Sequence, residues 1–194
     1  MLMPAGRDRT TIQRIVKVNH AGETGAIKIY AAQIAVARRL FPHIVPVLEK
    51  MRLDEIDHCA LFRNAMPARG ARPCRVMSLW SLGGYVLGAI TALIGERMVW
   101  ICTEAVESTV HHHLNDQLTF LQSRDPELHG LIASIQEEEM DHLKTAQDAQ
   151  DSKGLLHFAG IFAIGSVTSL MIWLSTWGDT SRMTRELVDA AKRH

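Results

Sequence analysis

Apolar residues recur at three- and four-residue intervals along most of the chain, and no stretch of any length alternates apolar with polar residues, so the pattern predicts an all-α protein. The first helix is predicted from about Thr11 to Leu40. Ile12, Ile15, Val16, Ile27, Ile34 and Leu40 mark its apolar faces, and Phe41-Pro42 ends it. A second helix runs from about Val45 to Met66. Pro67, Gly70 and Pro73 then predict a basic loop that also carries Arg69, Arg72 and Arg75. A long helical stretch follows from about Leu79 to Leu121, Asp125-Pro126 breaks it, and a further helix reaches about Asp151. An apolar stretch from Gly154 to Gly178 precedes a short charged helix from Thr180 to Lys192.

Two stretches, Val76 to Gly95 and Gly154 to Gly178, hold no formal charge. Each is long enough to cross a bilayer, for which about 20 residues suffice. They read either as core helices or true spans, or as helices lying on a membrane surface. Glu96, Arg97, Glu104 and Glu107 follow the first stretch in what reads as one helix, and that continuity favours the surface. Trp80, Trp100, Trp173 and Trp177 sit at or near the ends of these stretches, where Trp marks either a water–lipid boundary or an ordinary core. Gly83, Gly84, Gly88, Gly160 and Gly165 either let helices pack closely or leave a groove.

At 194 residues with 47% apolar content, the chain is read as one domain with a full core. Lys+Arg and Asp+Glu both number 21, so the basic surface that nucleic acid demands is missing. A mean hydropathy of +0.01 at zero net charge fits a greasy surface. Cys59, Cys74 and Cys102 form no C-x-x-C pair and read as reduced, buried small hydrophobes. The opening MLMPAGRDRTT has no apolar segment after its charges, so no secretory signal is expected.

The chemistry lies in Glu55-Ile56-Asp57-His58 and Glu139-Met140-Asp141-His142. Residues three apart share a helix face, so each Glu-x-x-His pair can grip a metal. One such motif is weak evidence, because helices are rich in Glu. The spacing is stronger. Glu23 precedes Glu55 by 32 residues and Glu107 precedes Glu139 by the same 32; Glu23 to Glu107, Glu55 to Glu139 and His58 to His142 are each 84. The chain therefore reads as two pseudo-repeats, about 11–95 and 96–179. The midpoints of the two Glu–Glu intervals, Arg39 and Ser123, fall just before Pro42 and Pro126. Folding each hairpin there brings a lone Glu level with a Glu-x-x-His. Four helices then aim six ligands, Glu23, Glu55, His58, Glu107, Glu139 and His142, at one centre. This is the ligand set of ferritin-like di-iron or di-manganese four-helix bundles, here with additional apolar helices. Four carboxylates balance two ferrous ions, and zinc is less expected because no Cys takes part.

Of the neighbouring acids, Asp54 and Glu138 precede the motif Glu residues, and Asp57 and Asp141 precede the His residues. Either one pair crosses the bundle to orient the opposite His, or all are solvated helix charge. His111, His112 and His113 cannot all face one way, and read as an exposed or ligand-supporting cluster with a proton relay as the alternative. His157 reads as a satisfied core His, while Tyr30 and Tyr85 carry no signal.

The segments Val18-Asn19-His20-Ala21-Gly22-Glu23-Thr24-Gly25-Ala26, Asp54-Glu55-Ile56-Asp57-His58, Glu104-Ala105-Val106-Glu107 with the His cluster and Asn115-Asp116-Gln117, and Glu137-Glu138-Glu139-Met140-Asp141-His142 resemble the demethoxyubiquinone hydroxylase family of ubiquinone biosynthesis, from about Arg14 onward. The His-Ala-Gly-Glu-x-Gly-Ala segment is the specific part. The resemblance implies a di-iron centre with Glu23, Glu55, His58 and Glu139 on one iron and Glu55, Glu107, Glu139 and His142 on the other, Glu55 and Glu139 bridging. It implies a monooxygenase that hydroxylates a demethoxyubiquinol-type polyprenyl benzoquinol, with O2 and an external reductant as co-substrates. It also implies a peripheral protein on the cytoplasmic face of a cell membrane, with a ubiquinone-biosynthesis complex as partner. Family members often carry Tyr where this chain has Leu114, which removes the basis for a Tyr-mediated electron step at that position. Three other readings compete: a quinol oxidase of the alternative-oxidase type, a ferritin-like iron-binding protein, and a membrane structural protein with an accidental Glu/His pattern. The Glu23 context fits the first poorly. The second has no use for two long uncharged stretches, and the duplicated spacing opposes the third.

Overall fold

The computed structural model describes residues 6–150 and 153–191. Among these, seven α-helices follow one another: α1 Gly6–Leu40, α2 Val45–Arg69, α3 Met77–Ile94, α4 Glu96–Leu121, α5 Pro126–Asp148, α6 Leu155–Ser175 and α7 Asp179–Ala191. The expected all-α, carboxylate–histidine bundle is thus present. The expected helix ends at Asp151 and Lys192, and the first five residues of the N-terminal reading, lie outside the described residues; the fifth helix already stops at Asp148.

α1 packs along α2 and α4 packs along α5, the two predicted hairpins. Their core divides in two. Ile12, Ile15, Phe62, Phe120, Leu128 and Ile132 fill one end, and Tyr30, Ile34, Leu48, Met51, Val99 and Trp100 fill the other. Each fully buried side chain such as Phe62 or Leu48 contributes about 1.5–3 kcal/mol by leaving water. On every bundle helix the Glu and His residues of the motifs fall between these clusters, so a polar layer crosses an apolar interior.

Four expectations need correction. The single helix from Leu79 to Leu121 is two helices. Gly95 sits at φ 141°, ψ 168°, a region open essentially only to glycine, and reverses the chain. α3 therefore runs parallel to α1, with Gly84 against Gly25, Gly88 against Ile29 and Thr91 against Gln33, while α4 runs antiparallel. The loop expected at Pro67 is instead the last turn of α2, which Gly70 closes at φ 63°. Arg69, assigned to that loop, is helical and makes a two-pronged ion pair with Asp125 at 2.6 and 2.9 Å. Asp125 also caps α5 by accepting from Leu128 N, so one carboxylate joins the end of α2 to the start of α5. Leu40, expected on an apolar face of the first helix, is 62% exposed at the end of α1.

The two uncharged stretches become α3 and α6, both long and apolar enough to cross a membrane by length and composition. Only 17% of each apolar window is buried. Leu79, Leu82, Leu93, Phe158, Phe162 and Trp177 stand more than half exposed. Glycines set the packing of both helices: a Cβ on Gly84 or Gly88 would meet the carbonyl oxygen of Gly25 or Ile29 at 2.3 Å, and one on Gly160 would meet Ile101 at 2.6 Å. Gly83 has open space beside it. Both readings of the small residues, close packing and groove, are realised at different positions. The Trp residues also divide: Trp100 is core, whereas Trp173 and Trp177 are exposed at the end of α6.

Candidate metal centre

The six predicted residues come together. Glu23, Glu55, His58 and Glu139 form one group and Glu55, Glu107, Glu139 and His142 another; within each, potential ligand atoms lie within 4.8 Å of one another. All six are buried. Each hairpin contributes one lone Glu and one Glu-x-x-His turn, and Glu55 and Glu139 belong to both groups.

His58 turns Nδ1 toward this centre, 3.0 Å from Glu139 Oε1, and Nε2 toward Glu138 Oε2 at 3.1 Å. His142 mirrors it, with Nδ1 3.4 Å from both Glu55 Oε1 and Glu139 Oε2 and Nε2 3.0 Å from Asp54 Oδ2. The crossing pair of acids is therefore Asp54 and Glu138, each reaching the His of the other hairpin. Asp57 and Asp141 are exposed. A carboxylate on the outer nitrogen fixes ring orientation and leaves the inner nitrogen for the centre.

Tyr30 joins the site unannounced by the sequence. Its buried hydroxyl donates to Glu107 Oε1 at 3.0 Å, and its ring meets His142 edge-on. Its spacing held the clue: Tyr30 stands seven residues, two turns, beyond Glu23 on one face of α1. Burial and the surrounding carboxylates push its hydroxyl well above the ordinary phenol range, so it remains a donor.

The electrostatics are those of concentrated acid in a dry interior. Burial, then the neighbouring carboxylates, push Glu23 and Glu107 well above the usual carboxylate range. Burial would raise Glu139 as well, but the imidazoles of His142 and His58 beside its oxygens hold it down at about 2. Burial opposes charge on the two imidazoles, yet the adjacent Glu139 and Glu55 carboxylates raise His58 to about 10 and His142 to about 11. Without metal, protons on the histidines supply the positive charge these carboxylates require.

The donor set fits a pair of divalent metals. Glu55 Oε1 and Oε2, Glu139 Oε2 and His142 Nδ1 are buried without a hydrogen-bond partner, a costly arrangement that cations would satisfy. Carboxylate oxygens with imidazole nitrogens suit hard-to-borderline divalent ions. Binding would displace the imidazole protons, because only neutral imidazole ligates.

Beside the centre lies a cavity of about 270 Å³. Glu23, Glu55, Glu107 and Glu139 line its inner end, and Leu79, Trp80, Leu87, Val167, Met171 and Ile172 its apolar wall. Leu79 and Val167 are more than half exposed, so the wall continues into the open apolar faces of α3 and α6. The His cluster divides: His112 is exposed, and His113 lines the cavity. His157 is buried and bonded to Gln150 at 2.9 Å, away from the centre, as expected.

Fold and site together define a helical bundle of the ferritin-like carboxylate–histidine class. Residues 10–175 match the family described as ubiquinone biosynthesis protein COQ7, and the chain belongs to that family. It is 42% identical over 138 residues to the NADPH-dependent 3-demethoxyubiquinone 3-hydroxylase, mitochondrial, of Homo sapiens, covering 69% of this chain and 63% of that protein. The Mus musculus protein of the same name is 40% identical over 145 residues, covering 73% and 66%. The 3-demethoxyubiquinol 3-hydroxylase of Rhodospirillum rubrum is 35% identical over 166 residues, covering 84% and 77%. The chain thus spans a little under two thirds of the mammalian relatives' length.

Proposed function

We propose that this chain is a 3-demethoxyubiquinol 3-hydroxylase, a membrane-associated di-iron monooxygenase of ubiquinone biosynthesis. The observation that carries the reading is the apolar cavity joining a buried Glu/His centre to the exposed apolar faces of α3 and α6. A centre suited to metals alone fits storage equally well. A lipid-facing access path fits a polyprenyl ring substrate.

In this reading Glu23, Glu55, His58 and Glu139 would hold one iron and Glu55, Glu107, Glu139 and His142 the other, with Glu55 and Glu139 common to both groups. When bound, the irons supply O2 activation, so that one oxygen atom enters a ring C–H bond and the other leaves as water with two electrons and two protons from an external reductant. The chain's own residues do the rest. Asp54 and Glu138 hold the outer nitrogens of His142 and His58. Tyr30 fixes one oxygen of Glu107. The cavity wall excludes water from the reacting ring.

The protein lies on the membrane in this reading, on the cytoplasmic face. α3 and α6 flank the centre at its own height, since Gly84 packs on Gly25, two residues past Glu23, and Gly165 on Thr109, two residues past Glu107. Spanning α3 and α6 would carry Glu138 and the other charges of α2 and α5 into hydrocarbon. Labelling of Arg75→Cys and Glu96→Cys variants in sealed vesicles, with the three native cysteines replaced by alanine, tests this; labelling from opposite sides overturns it.

The reaction is tested with iron-loaded protein, demethoxyubiquinol, isotopically labelled O2 and NADPH, the reductant in the mammalian relatives' names. Label in the ring hydroxyl is the expected result. Label only in water, with quinol consumed, establishes a quinol oxidase instead.

A further inference from the structure

The cavity has a second polar patch, which the centre does not use. It lies beyond the carboxylates on α1 and α4. Asn19 stands one turn before Glu23, and His113 and Gln117 follow Glu107; all line the cavity. Asn19 and Gln117 face each other and exchange two hydrogen bonds, Asn19 Nδ2 to Gln117 Oε1 at 2.8 Å and Gln117 Nε2 to Asn19 Oδ1 at 3.0 Å. That reciprocal pair satisfies both inward amide groups.

His113 is different. It lies one turn before Gln117 on the same face of α4, and both its ring nitrogens are shut off from solvent with no hydrogen-bond partner. Burial, and then the neighbouring His112, lower its affinity for a proton, so the ring is neutral near pH 7 and offers one donor and one acceptor. Two unsatisfied nitrogens are destabilising unless an occupant of the cavity completes them. The rest of this part of the wall, Val18, Val110 and Leu114, is apolar and offers nothing polar. At ~1.5 Å per residue His113 stands about 9 Å along α4 from Glu107, the scale of one substituted benzoquinol ring with its two oxygens.

We propose that His113, set beside the locked Asn19–Gln117 pair, is a substrate-positioning residue that hydrogen-bonds one ring oxygen of the quinol and thereby presents the carbon to be hydroxylated to the carboxylate centre. This rests on the hydroxylase reading above. The amides are satisfied by each other, and Thr168 of α6, which also lines the cavity, donates its hydroxyl to Ile164 O, so His113 is the lining side chain here with both polar atoms unpartnered.

Equilibrium dialysis of the iron-loaded protein under argon tests it. One ligand is 2-methoxy-5-methyl-1,4-benzoquinol. The other is a methoxytoluene that keeps both substituents and lacks the hydroxyls. His113→Ala should weaken binding of the quinol roughly tenfold and of the methoxytoluene less than about twofold, the difference expected for one lost hydrogen bond. His113→Phe, which fills the space without a nitrogen, should reproduce the selective loss, and His113→Gln should restore part of it. Iron content should not change, and His112→Ala should alter neither ligand. Equal loss for both ligands, or no loss for the quinol, overturns the proposal. Wild-type protein that fails to bind the quinol overturns the hydroxylase reading itself.

Discussion

Asp54 and Glu138 occupy corresponding places in the two hairpins, and the structure predicts that they are unequal. Asp54 accepts from His142 at 3.0 Å with its side chain 23% exposed, and Lys50 pairs with it at 2.7 Å. Glu138 meets His58 at 3.1 Å but is 60% exposed. A hydrogen bond to a charged group in a sheltered place is worth about 1.5–3 kcal/mol. In Asp54→Ala that loss should weaken metal binding by about 10–100-fold, felt first at the metal held by His142. Water screens Glu138, and an exposed pair is worth roughly 1 kcal/mol or less, so Glu138→Ala should weaken binding by no more than about fivefold. Competition for ferrous iron against a chromophoric chelator under argon measures both variants. The wild type should take two metals. Asp54→Ala should hold its second metal distinctly more loosely. Equal losses in the two variants, or a greater loss from Glu138→Ala, refutes the view that exposure sets the strength of these contacts.

Three further outcomes follow from the geometry. Glu139→Ala removes a residue common to both ligand groups, so both metals should be lost together; retention of two metals with full activity, read by metal analysis and product assay, excludes a bridging role. Asp125→Ala strips the α5 cap and leaves Arg69, 8% exposed, without its two-pronged partner, at a cost of about 3–5 kcal/mol, whereas Asp125→Asn keeps the cap and should cost less; urea unfolding of both variants checks the order. Stability should fall in acid through Asp125 and Asp8: burial opposes their charge, but Arg69 at Asp125 and Arg182 with Arg124 at Asp8 hold both carboxyls below their ordinary value of 3.8. Lowered carboxyls favour the folded state above that value, and their contribution disappears as pH falls through the folded values. Thermal unfolding between neutral pH and about pH 3 should show the loss, and replacing both Asp residues by Asn should flatten the acid limb.

Local rules made much of the bundle legible. Helical periodicity, Phe41-Pro42 and Asp125-Pro126 place the hairpins, and the repeated spacings of 32 and 84 place all six Glu and His residues at one level. A helix puts residues three and four apart on one face, and a short turn puts residues equidistant from it at one height, so spacing alone carries that information. Gly95 was missed because its chain reversal depends on a conformation that glycine permits but does not require. Pro67 misled because a proline in the last turn of a helix leaves most of the helix's hydrogen bonds intact.

Which residue meets which across helices was not written in either period. Asp54 and Asp57 are alike in sequence, as are Glu138 and Asp141; only the rotation of α2 against α5 makes one member of each pair reach a histidine and leaves the other in water. Tyr30 over Glu107, and His113 with Asn19 and Gln117 around a cavity, likewise depend on how α1 and α4 are turned toward each other. The sequence by itself determined the helical class, the pairing of the two hairpins and the height of the carboxylate layer, because those follow from backbone geometry repeated along one chain. The tertiary structure alone decided the inner and outer partners, the Gly84–Gly25 contact that brings an apolar helix beside the carboxylate layer, and the path from that layer to the exposed apolar surface. Contacts between distant segments are set by packing in three dimensions, which no spacing along the chain records.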